Sequence, residues 1–205
     1  MESIYPEEVT IFAAVVLYGV PVAVAVLSYL LGCINGAIAT SHLFYHDDVR
    51  RHGSGNAGLT NFYRNYGAKC AIVVIAFDML KAVGAVCLGG YFLGHLLGWG
   101  VIGKYFGALF CIIGHMFPVF YGFKGGKGVA TSIGVMFCLE PLVTLCCVLP
   151  IIALVLITDR MSVMSICYAV FNIVWAWAAS LGEIGAFNAC LVTVMFAVVL
   201  FAHRH

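Results

Sequence analysis

Apolar residues follow one another along this chain in long stretches, which short polar segments separate. About 20 consecutive apolar residues span the hydrocarbon core of a bilayer as a helix. The pattern predicts seven such helices, at residues 10–44, 70–93, 103–121, 128–140, 141–158, 163–181 and 184–203. The first stretch is long enough to tilt or to extend beyond the bilayer. The fourth and fifth are short, and Pro141 separates them, so we expect a tight hairpin or two partial helices there.

Composition supports a membrane protein and excludes an ordinary soluble domain. The chain has 205 residues, of which 63% are hydrophobic and only 9% are charged, and its mean hydropathy is +1.07. No long-period repeat or low-complexity linker divides it. We therefore predict an all-α polytopic integral membrane protein with about seven transmembrane helices, forming a single membrane domain over residues 1–205.

The positive charges predict how the helices are oriented. With seven spans, one side of the membrane receives Arg50, Arg51, Arg64, Lys69, Lys124, Lys127, Arg160 and Arg204. The other side receives Glu2, Glu7, Glu8, Glu140 and Glu183, with Lys104 near its edge. Since cytoplasmic loops carry the excess of Lys and Arg, we expect the N-terminus outside and the C-terminus in the cytoplasm. The acidic start also differs from a secretory signal, so no cleaved signal is expected.

The longest polar loop, at about residues 45–69, has the composition of an anion site. Its centre, Gly53-Ser-Gly-Asn-Ala-Gly-Leu-Thr-Asn61, alternates small residues with hydroxyl and amide side chains. Glycine lets successive N–H groups point at one place, which favours an anion. The donors are Ser54, Asn56, Thr60 and Asn61, and Thr60 or Asn61 could cap a helix through Phe62 to Tyr66 that carries Arg64, whose planar guanidinium suits phosphate. The plainer alternative is a flexible loop with a helix cap.

A second polar segment, GFKGGKG at residues 122–128, is predicted on the same side. Gly125 and Gly126 would let the backbone approach a phosphate, and Lys124 and Lys127 supply positive charge. The segment is not a Walker A motif, because Gly128 follows Lys127 where that motif needs Ser or Thr. Alone, it could be a positive anchor beside a turn.

The remaining polar residues are interpreted more plainly. Asp78 and Lys81 are three positions apart on one helix face and can pair with each other, and His115 is typical of a hydrogen-bonded structural histidine. Ser162 and Ser165 lie at a helix start, within a polar segment at about residues 159–165. Nine cysteines without a CxxC spacing or a Cys/His cluster predict neither disulfides nor a metal site. No basic patch indicates nucleic acid.

The motifs SGNAGLTNFYR, FDMLK and GHMFPVFYGFKGGKGVATSIG, in this order, resemble the PlsY family of bacterial acyl-phosphate:glycerol-3-phosphate acyltransferases. The likeness covers the chain from about Leu31 to His203. It implies a seven-helix protein of the bacterial inner membrane with its active site on the cytoplasmic face. The implied reaction moves a fatty acyl group from acyl phosphate to the 1-hydroxyl of glycerol 3-phosphate, giving lysophosphatidic acid and phosphate in the first step of phospholipid biosynthesis. It needs no cofactor, metal or covalent enzyme intermediate, and the implied state is a monomer surrounded by membrane lipid.

The resemblance also assigns roles to individual residues. It implies catalytic roles for Ser54, Arg64, Lys127 and His203. It implies substrate-binding roles for Asn56, Thr60, Asn61, Lys124, Gly125, Gly126, Gly128 and Ser162. His203, in the C-terminal segment 203–205, matches the histidine of a His-x-x-Asn motif whose Asn would fall after His205. The general base stays open between His203 and an oxygen of the acyl phosphate, and the second is favoured.

Two other functions compete with this prediction. His42 and Asp47 have the His-x4-Asp spacing of thioester-dependent acyltransferases, but those enzymes are mostly built around a soluble-type domain. A transporter of a phosphorylated solute would also need phosphate-binding loops. Transporter sites usually lie near the bilayer midplane between inverted repeats, however, whereas here the polar residues gather at one membrane face.

Overall fold

The computed structural model describes residues 7–158 and 161–203. This part of the chain folds into helices joined by turns, without a strand. In chain order the α-helices are α1 (Glu7–Ala14), α2 (Val20–Cys33), α3 (Gly36–Tyr45), α4 (Leu59–Tyr66), α5 (Ala68–Leu97), α6 (Gly100–Met116), α7 (Val129–Leu139), α8 (Pro141–Thr158), α9 (Met161–Ala178) and α10 (Gly182–Phe201). A π-helical turn, Val15–Gly19, joins α1 to α2, and the 3-10 turns Val49–Arg51 and Val119–Tyr121 lie in the two polar loops. The predicted all-α class is confirmed.

Five helical segments in the described part of the chain are long and apolar enough to cross a membrane. They are Val9–Cys33, Ala68–Leu97, Gly100–Tyr121, Met161–Ala178 and Gly182–Phe201. Two shorter apolar helices, Val129–Leu139 and Pro141–Val155, correspond to the fourth and fifth predicted stretches. The count of seven spans and their orientation stay predictions.

The single span predicted for residues 10–44 is wrong, because the chain leaves the helix after Cys33. Ile34 and Asn35 are extended, and the Asn35 side chain caps α3 by accepting a hydrogen bond from the N–H of Ile38 at 3.0 Å. An amide side chain at a helix start satisfies a backbone donor that would otherwise lack a partner. One apolar stretch therefore forms the helix α2, a break and the separate helix α3.

Glycines bring the central helices into backbone contact. α6 packs against α2 and α5, and a Cβ placed on Gly89 of α5 would collide with the carbonyl oxygen of Gly103 of α6. A Cβ on Gly32 of α2 would likewise collide with the carbonyl oxygen of Cys111. Small residues permit this close approach, which drives helix association in a bilayer through van der Waals packing.

A small apolar cluster fixes the first polar loop to the bundle. Phe62 of α4 is fully buried together with Ile38 of α3, Val74 of α5 and the loop residues Val49 and Ala57. Buried side chains before and after the glycine-rich centre of the loop thus anchor it to the helix bundle.

The close contact between α5 and α6 predicts that Gly89→Ala is destabilising. The new Cβ would lie 2.9 Å from the Gly103 carbonyl carbon and 3.1 Å from the Gly107 nitrogen, and such overpacking costs about 1–3 kcal/mol. Gly84→Ala on the same helix is the matched control, because the nearest atom to its Cβ is Leu31 Cδ1 at 3.8 Å. The midpoint of thermal unfolding in detergent should fall for Gly89→Ala and stay level for Gly84→Ala. Equal midpoints for both variants would contradict the packing argument.

Candidate active site

The two polar loops, the start of α9 and the end of α10 surround one cavity of about 950 Å³. All but three of the predicted site residues line it: Ser54, Asn56, Thr60, Asn61, Arg64, Lys127, Gly128, Ser162 and His203. The three that do not are Lys124, Gly125 and Gly126. Motifs that are far apart in the sequence therefore meet at a single site.

Asn61 organises the first loop. The two hydrogens of its Nδ2 are shared among the carbonyl oxygens of Val49, His52 and Asn56, each at 3.0 Å, and its Oδ1 accepts a hydrogen bond from the N–H of Ser54 at 3.0 Å. The residue is only 4% exposed. Its amide is therefore occupied in folding the loop that presents Ser54, although Asn61 also lines the cavity. The predicted substrate contact at Asn61 stays a prediction.

Helix α4 presents its first turn and Arg64 to the cavity. Gly58 is the N-cap residue and supplies no side-chain cap, so the predicted cap by Thr60 or Asn61 is wrong. The first N–H groups of a helix have no intrahelical acceptor and favour an anion. Because Leu59, Thr60 and Arg64 all line the cavity, α4 contributes both these donors and a cation to one wall.

The second loop folds back onto the end of α6. The N–H of Gly125 donates to the carbonyl oxygen of Met116 at 3.1 Å, and that of Gly126 donates to the carbonyl oxygen of His115 at 3.2 Å. A Cβ on Gly125 would lie 2.6 Å from Pro118 Cδ. Glycine is needed here for close packing on the helix end, and these two amides already have acceptors. A phosphate contact by Gly125 or Gly126 stays a prediction.

Lys127 and Gly128 are the residues of GFKGGKG that reach the cavity. Gly128 has a φ of +82° and is the N-cap of α7, and this left-handed conformation favours glycine. Lys127 stands just before the start of α7 and brings its positive charge to the cavity from the side of the second loop.

Arg50 joins the two loops, a role that the sequence did not indicate. Its Nη1 donates to the carbonyl oxygens of Tyr121 at 2.9 Å and Lys124 at 3.4 Å, while its Nη2 pairs with Asp48 Oδ2 at 2.7 Å. The hydrogen bonds from Arg50 hold the pKa of the Asp48 carboxyl below its usual value, and the same bonds raise the pKa of Arg50. Since the acceptors across the loop are backbone oxygens, no residue type could have predicted them.

Asp47 has partners other than His42. Tyr66 donates its hydroxyl to Asp47 Oδ2 at 2.8 Å, and His52 Nε2 lies 2.6 Å from the same oxygen. The hydrogen bond from Tyr66 is the main reason that the pKa of the Asp47 carboxyl is lowered. Burial is the main reason that the pKa of the Tyr66 hydroxyl is raised to about 12, and its hydrogen bond to Asp47 is the second. The carboxylate is engaged in fixing the loop, so the His-x4-Asp alternative finds no support in these contacts.

His203, just beyond α10, has a defined ring orientation. Its Nδ1 lies 2.8 Å from the carbonyl oxygen of Val199. A carbonyl can only accept, so Nδ1 carries the hydrogen and Nε2 of the neutral ring is a proton acceptor. Burial lowers the pKa of His203, and the charge of Lys127 lowers it further. The predicted polar residues Arg160, Arg204 and His205 lie outside the described residues.

Three buried polar residues form the innermost part of the site. Lys81 Nζ lies 2.8 Å from Asp78 Oδ1 and 2.7 Å from His115 Nδ1, and it donates to the carbonyl oxygens of Gly32 at 3.3 Å and Ile34 at 2.8 Å. The predicted Asp78–Lys81 pair and the predicted hydrogen-bonded His115 are confirmed. The sequence did not predict that Asp78 and His115 also line the cavity. The sequence signal for this was the occurrence of ionisable residues at membrane depth.

Part of the cavity wall is apolar. It is formed by side chains of α7, the start of α9 and the end of α10, namely Val129, Ala130, Ile133, Met161, Val163, Met164 and Ala202. Within residues 7–158 and 161–203, no group of three or more His, Cys, Asp or Glu side chains could hold a metal ion. The cavity thus combines cations and hydrogen-bond donors with a hydrophobic face.

Comparison with known proteins identifies the family. A family model described as glycerol-3-phosphate acyltransferase matches residues 22–205. A glycerol-3-phosphate acyltransferase of Finegoldia magna is 34% identical over 184 residues, which cover 89% of this chain and 88% of that protein. Another, from Bacillus subtilis strain 168, is 34% identical over 179 residues, covering 87% and 88%.

A solved structure shares the fold over nearly the same length. The crystal structure of PlsY, an integral membrane glycerol 3-phosphate acyltransferase, in its glycerol 3-phosphate form matches with a TM-score of 0.76 and 32% identity. The match covers 90% of this chain and 88% of that one. With the family model and the relatives, it shows that this chain belongs to the PlsY family of integral membrane glycerol-3-phosphate acyltransferases.

Proposed function

We propose that this protein transfers a fatty acyl group from acyl phosphate to the 1-hydroxyl of sn-glycerol 3-phosphate, releasing lysophosphatidic acid and phosphate. The observation that carries the proposal is that Arg64, Lys127 and His203 line the same cavity as the apolar side chains of α7 and α9. Two phosphorylated substrates need cations and hydrogen-bond donors, and a fatty chain needs a hydrophobic surface. Both requirements are met in one place.

Two cations among the described residues line the cavity from different parts of the chain. Arg64 comes from α4 and Lys127 from the segment before α7, and each can neutralise phosphate oxygens. Ser54, Asn56, Thr60 and Ser162 add neutral hydrogen-bond donors on the lining, and the first N–H groups of α4 add backbone donors. Gly128 keeps the backbone beside Lys127 close to Met116 and Val199, whose side chains occupy the space that a Cβ would need. We assign the phosphates of acyl phosphate and glycerol 3-phosphate to these groups.

The chemical step needs no enzyme nucleophile, because acyl phosphate is already an activated mixed anhydride. The 1-hydroxyl oxygen bonds to the acyl carbonyl carbon, the bond from that carbon to the phosphate oxygen breaks, and phosphate leaves with the electron pair. Holding the hydroxyl beside the carbonyl can supply about 7–11 kcal/mol of the rate enhancement. Cations and hydrogen-bond donors stabilise the charge that develops on the carbonyl oxygen and the leaving phosphate.

The hydroxyl proton has two possible acceptors, Nε2 of His203 and an oxygen of the acyl phosphate. We favour the phosphate oxygen, because it is attached to the carbon under attack and needs no separate positioning. His203 then acts by orienting substrate, and burial lowers its pKa, which favours the neutral ring.

The acyl chain is assigned to the apolar wall between α7 and α9. The chain would extend from there between the helices into membrane lipid, so that no soluble carrier is required. The positive residues of both polar loops support a cytoplasmic active site in a bacterial inner membrane, and we propose a monomer that needs no cofactor.

The first test is phosphate release by detergent-purified protein given palmitoyl phosphate and glycerol 3-phosphate. Lys127→Ala should lower kcat/KM by about 100-fold or more, because the phosphates lose a charged partner. Lys69→Ala is the matched control, since it removes the same charge from an exposed position that does not line the cavity. Folded protein that releases no phosphate, but moves a phosphorylated solute in sealed vesicles, would replace the enzyme by a transporter.

A second test concerns His203. If a phosphate oxygen accepts the proton, His203→Gln should lower kcat by less than about 100-fold and leave the shape of the pH profile unchanged. A general base contributes about 10²–10⁴-fold, and a histidine with a lowered pKa would lose activity only below about pH 6.5. A larger loss of kcat together with disappearance of that acid limb would identify His203 as the base.

A third test concerns the link between the loops. Arg50→Lys should lower kcat/KM by about 10- to 100-fold, because an ammonium cannot hold Asp48 and two carbonyl oxygens in the same fork, and small misplacements of Lys127 are costly. Arg51→Lys, at an exposed neighbouring position, is the control. Kinetics and thermal midpoints of both variants would be measured together, and equal kinetics would contradict the positioning role of Arg50.

A further inference from the structure

Asp78 and His115 form the floor of the cavity. They are 1% and 2% exposed, yet both line it. Neither residue belongs to the glycine-rich motifs, and neither is needed for the phosphate contacts proposed above. An ionisable pair that is held this deep and still faces the cavity calls for a chemical role.

The contacts of His115 define which ring nitrogen carries the hydrogen. Lys81 as an ammonium is a donor only, and its Nζ lies 2.7 Å from Nδ1 of His115. Nδ1 therefore accepts, so Nε2 of the neutral ring carries the hydrogen. Nε2 has no hydrogen-bond partner in the described part of the chain, and it occupies space that a Cβ on Gly126 would need. Nε2 is not among the fully enclosed polar atoms, and His115 lines the cavity, so this donor is available to a ligand oxygen or a water.

Asp78 supplies the complementary acceptor. Its contacts with Lys81 at 2.8 Å, with His115 Nδ1 at 3.5 Å and with the N–H of Gly36 at 3.4 Å all use Oδ1. Oδ2 therefore retains capacity to accept. The cavity floor thus offers one donor and one acceptor, which is the pattern that a hydroxyl group needs because it both donates and accepts.

Charge separates this floor from the phosphate groups of the substrates. Asp78 is paired with Lys81, so these two residues carry no net charge that would attract phosphate. Arg64 and Lys127 do attract it, so the cavity has distinct regions for an anion and for a neutral polar group. Glycerol 3-phosphate has one phosphate and two hydroxyls. Its 1-hydroxyl must face the acyl carbonyl in order to react, which leaves the 2-hydroxyl to be bound.

We propose that Asp78 and His115 bind the 2-hydroxyl of glycerol 3-phosphate and make the enzyme specific for a vicinal diol phosphate. Lys81 is the positioning residue, because it contacts both side chains and holds them in their relative orientation. The inference rests on the acyl transfer proposed above. It adds a specificity site in the innermost part of the same cavity.

The test compares glycerol 3-phosphate with 3-hydroxypropyl phosphate, which has the same length and lacks only the 2-hydroxyl. With palmitoyl phosphate as donor, the wild-type kcat/KM should favour glycerol 3-phosphate by about 10- to 100-fold, as expected for a lost hydrogen bond to a charged group. This ratio does not depend on the fraction of active protein, so a loss of folding alone does not change it.

Substitutions then test whether Asp78 and His115 cause this preference for glycerol 3-phosphate. His115→Asn places an amide oxygen near the Nδ1 position, where it can accept from Lys81, but does not reach the Nε2 position. Its ratio should fall toward one, as should that of Asp78→Asn, which weakens the acceptor. Lys127→Ala is the control, because both acceptors carry the phosphate, so both rates should fall and the ratio should stay high.

The outcomes separate this inference from the proposed function. Equal wild-type turnover of both acceptors would overturn the hydroxyl site and leave acyl transfer standing. A wild-type ratio that persists in His115→Asn and Asp78→Asn, while both rates fall, would show that the two residues are structural only. Release of no phosphate with either acceptor would overturn both proposals.

Discussion

The ammonium of Lys81 is the interaction on which the architecture of the site depends. It lies inside an apolar bundle and holds the carbonyl oxygens of Gly32 and Ile34, where α2 ends. Free carbonyls at membrane depth are costly unless the protein satisfies them. Because Lys81 does so, and because Asp78 balances its charge, the chain can leave one helix and start another within a stretch that would otherwise continue straight.

The break in turn determines where the first loop lies. Asn35 begins α3 through its side-chain oxygen, and its Nδ2 donates to the carbonyl oxygen of Ala57 at 3.0 Å. Ala57 belongs to the loop that carries Ser54 and leads to Arg64. A line of contacts therefore runs from the buried ion pair through a helix start to the groups proposed to bind phosphate. A polar site needs such support here, since apolar side chains cannot orient donors.

The sequence predicted features that depend on composition, and missed features that depend on which backbone groups meet. Long apolar stretches identify helices regardless of their packing, so α5, α6, α9 and α10 were predicted within a few residues. The break at Ile34 was missed, because the one polar residue there, Asn35, is surrounded by apolar neighbours. The residue types of the two loops indicated an anion site, and most of the predicted residues line one cavity.

Dependence on the path of the chain also explains the residues whose contacts the sequence did not predict. Gly125 and Gly126 match a phosphate loop by composition, yet their amides close the end of α6, which only the path of the chain reveals. The link from Arg50 to the carbonyl oxygen of Tyr121 spans 71 positions. Asp78 and His115 looked structural because pairing explained them fully. That they also face a cavity follows from how α5 and α6 pack.

The bond from Arg50 to the second loop has a consequence for how this enzyme can change. Carbonyl oxygens are common to all amino acids, so these hydrogen bonds do not depend on the side chain of Lys124. The Tyr121 ring, in contrast, also packs against the Arg50 guanidinium, with 5.6 Å from Cζ to the ring centroid. The link therefore tolerates substitution at Lys124, while the backbone beside Lys127 keeps its place. The surface of the second loop at Lys124, which does not line the cavity, can therefore diverge in charge and size among descendants of this chain, while the Arg50 link keeps the course of the loop.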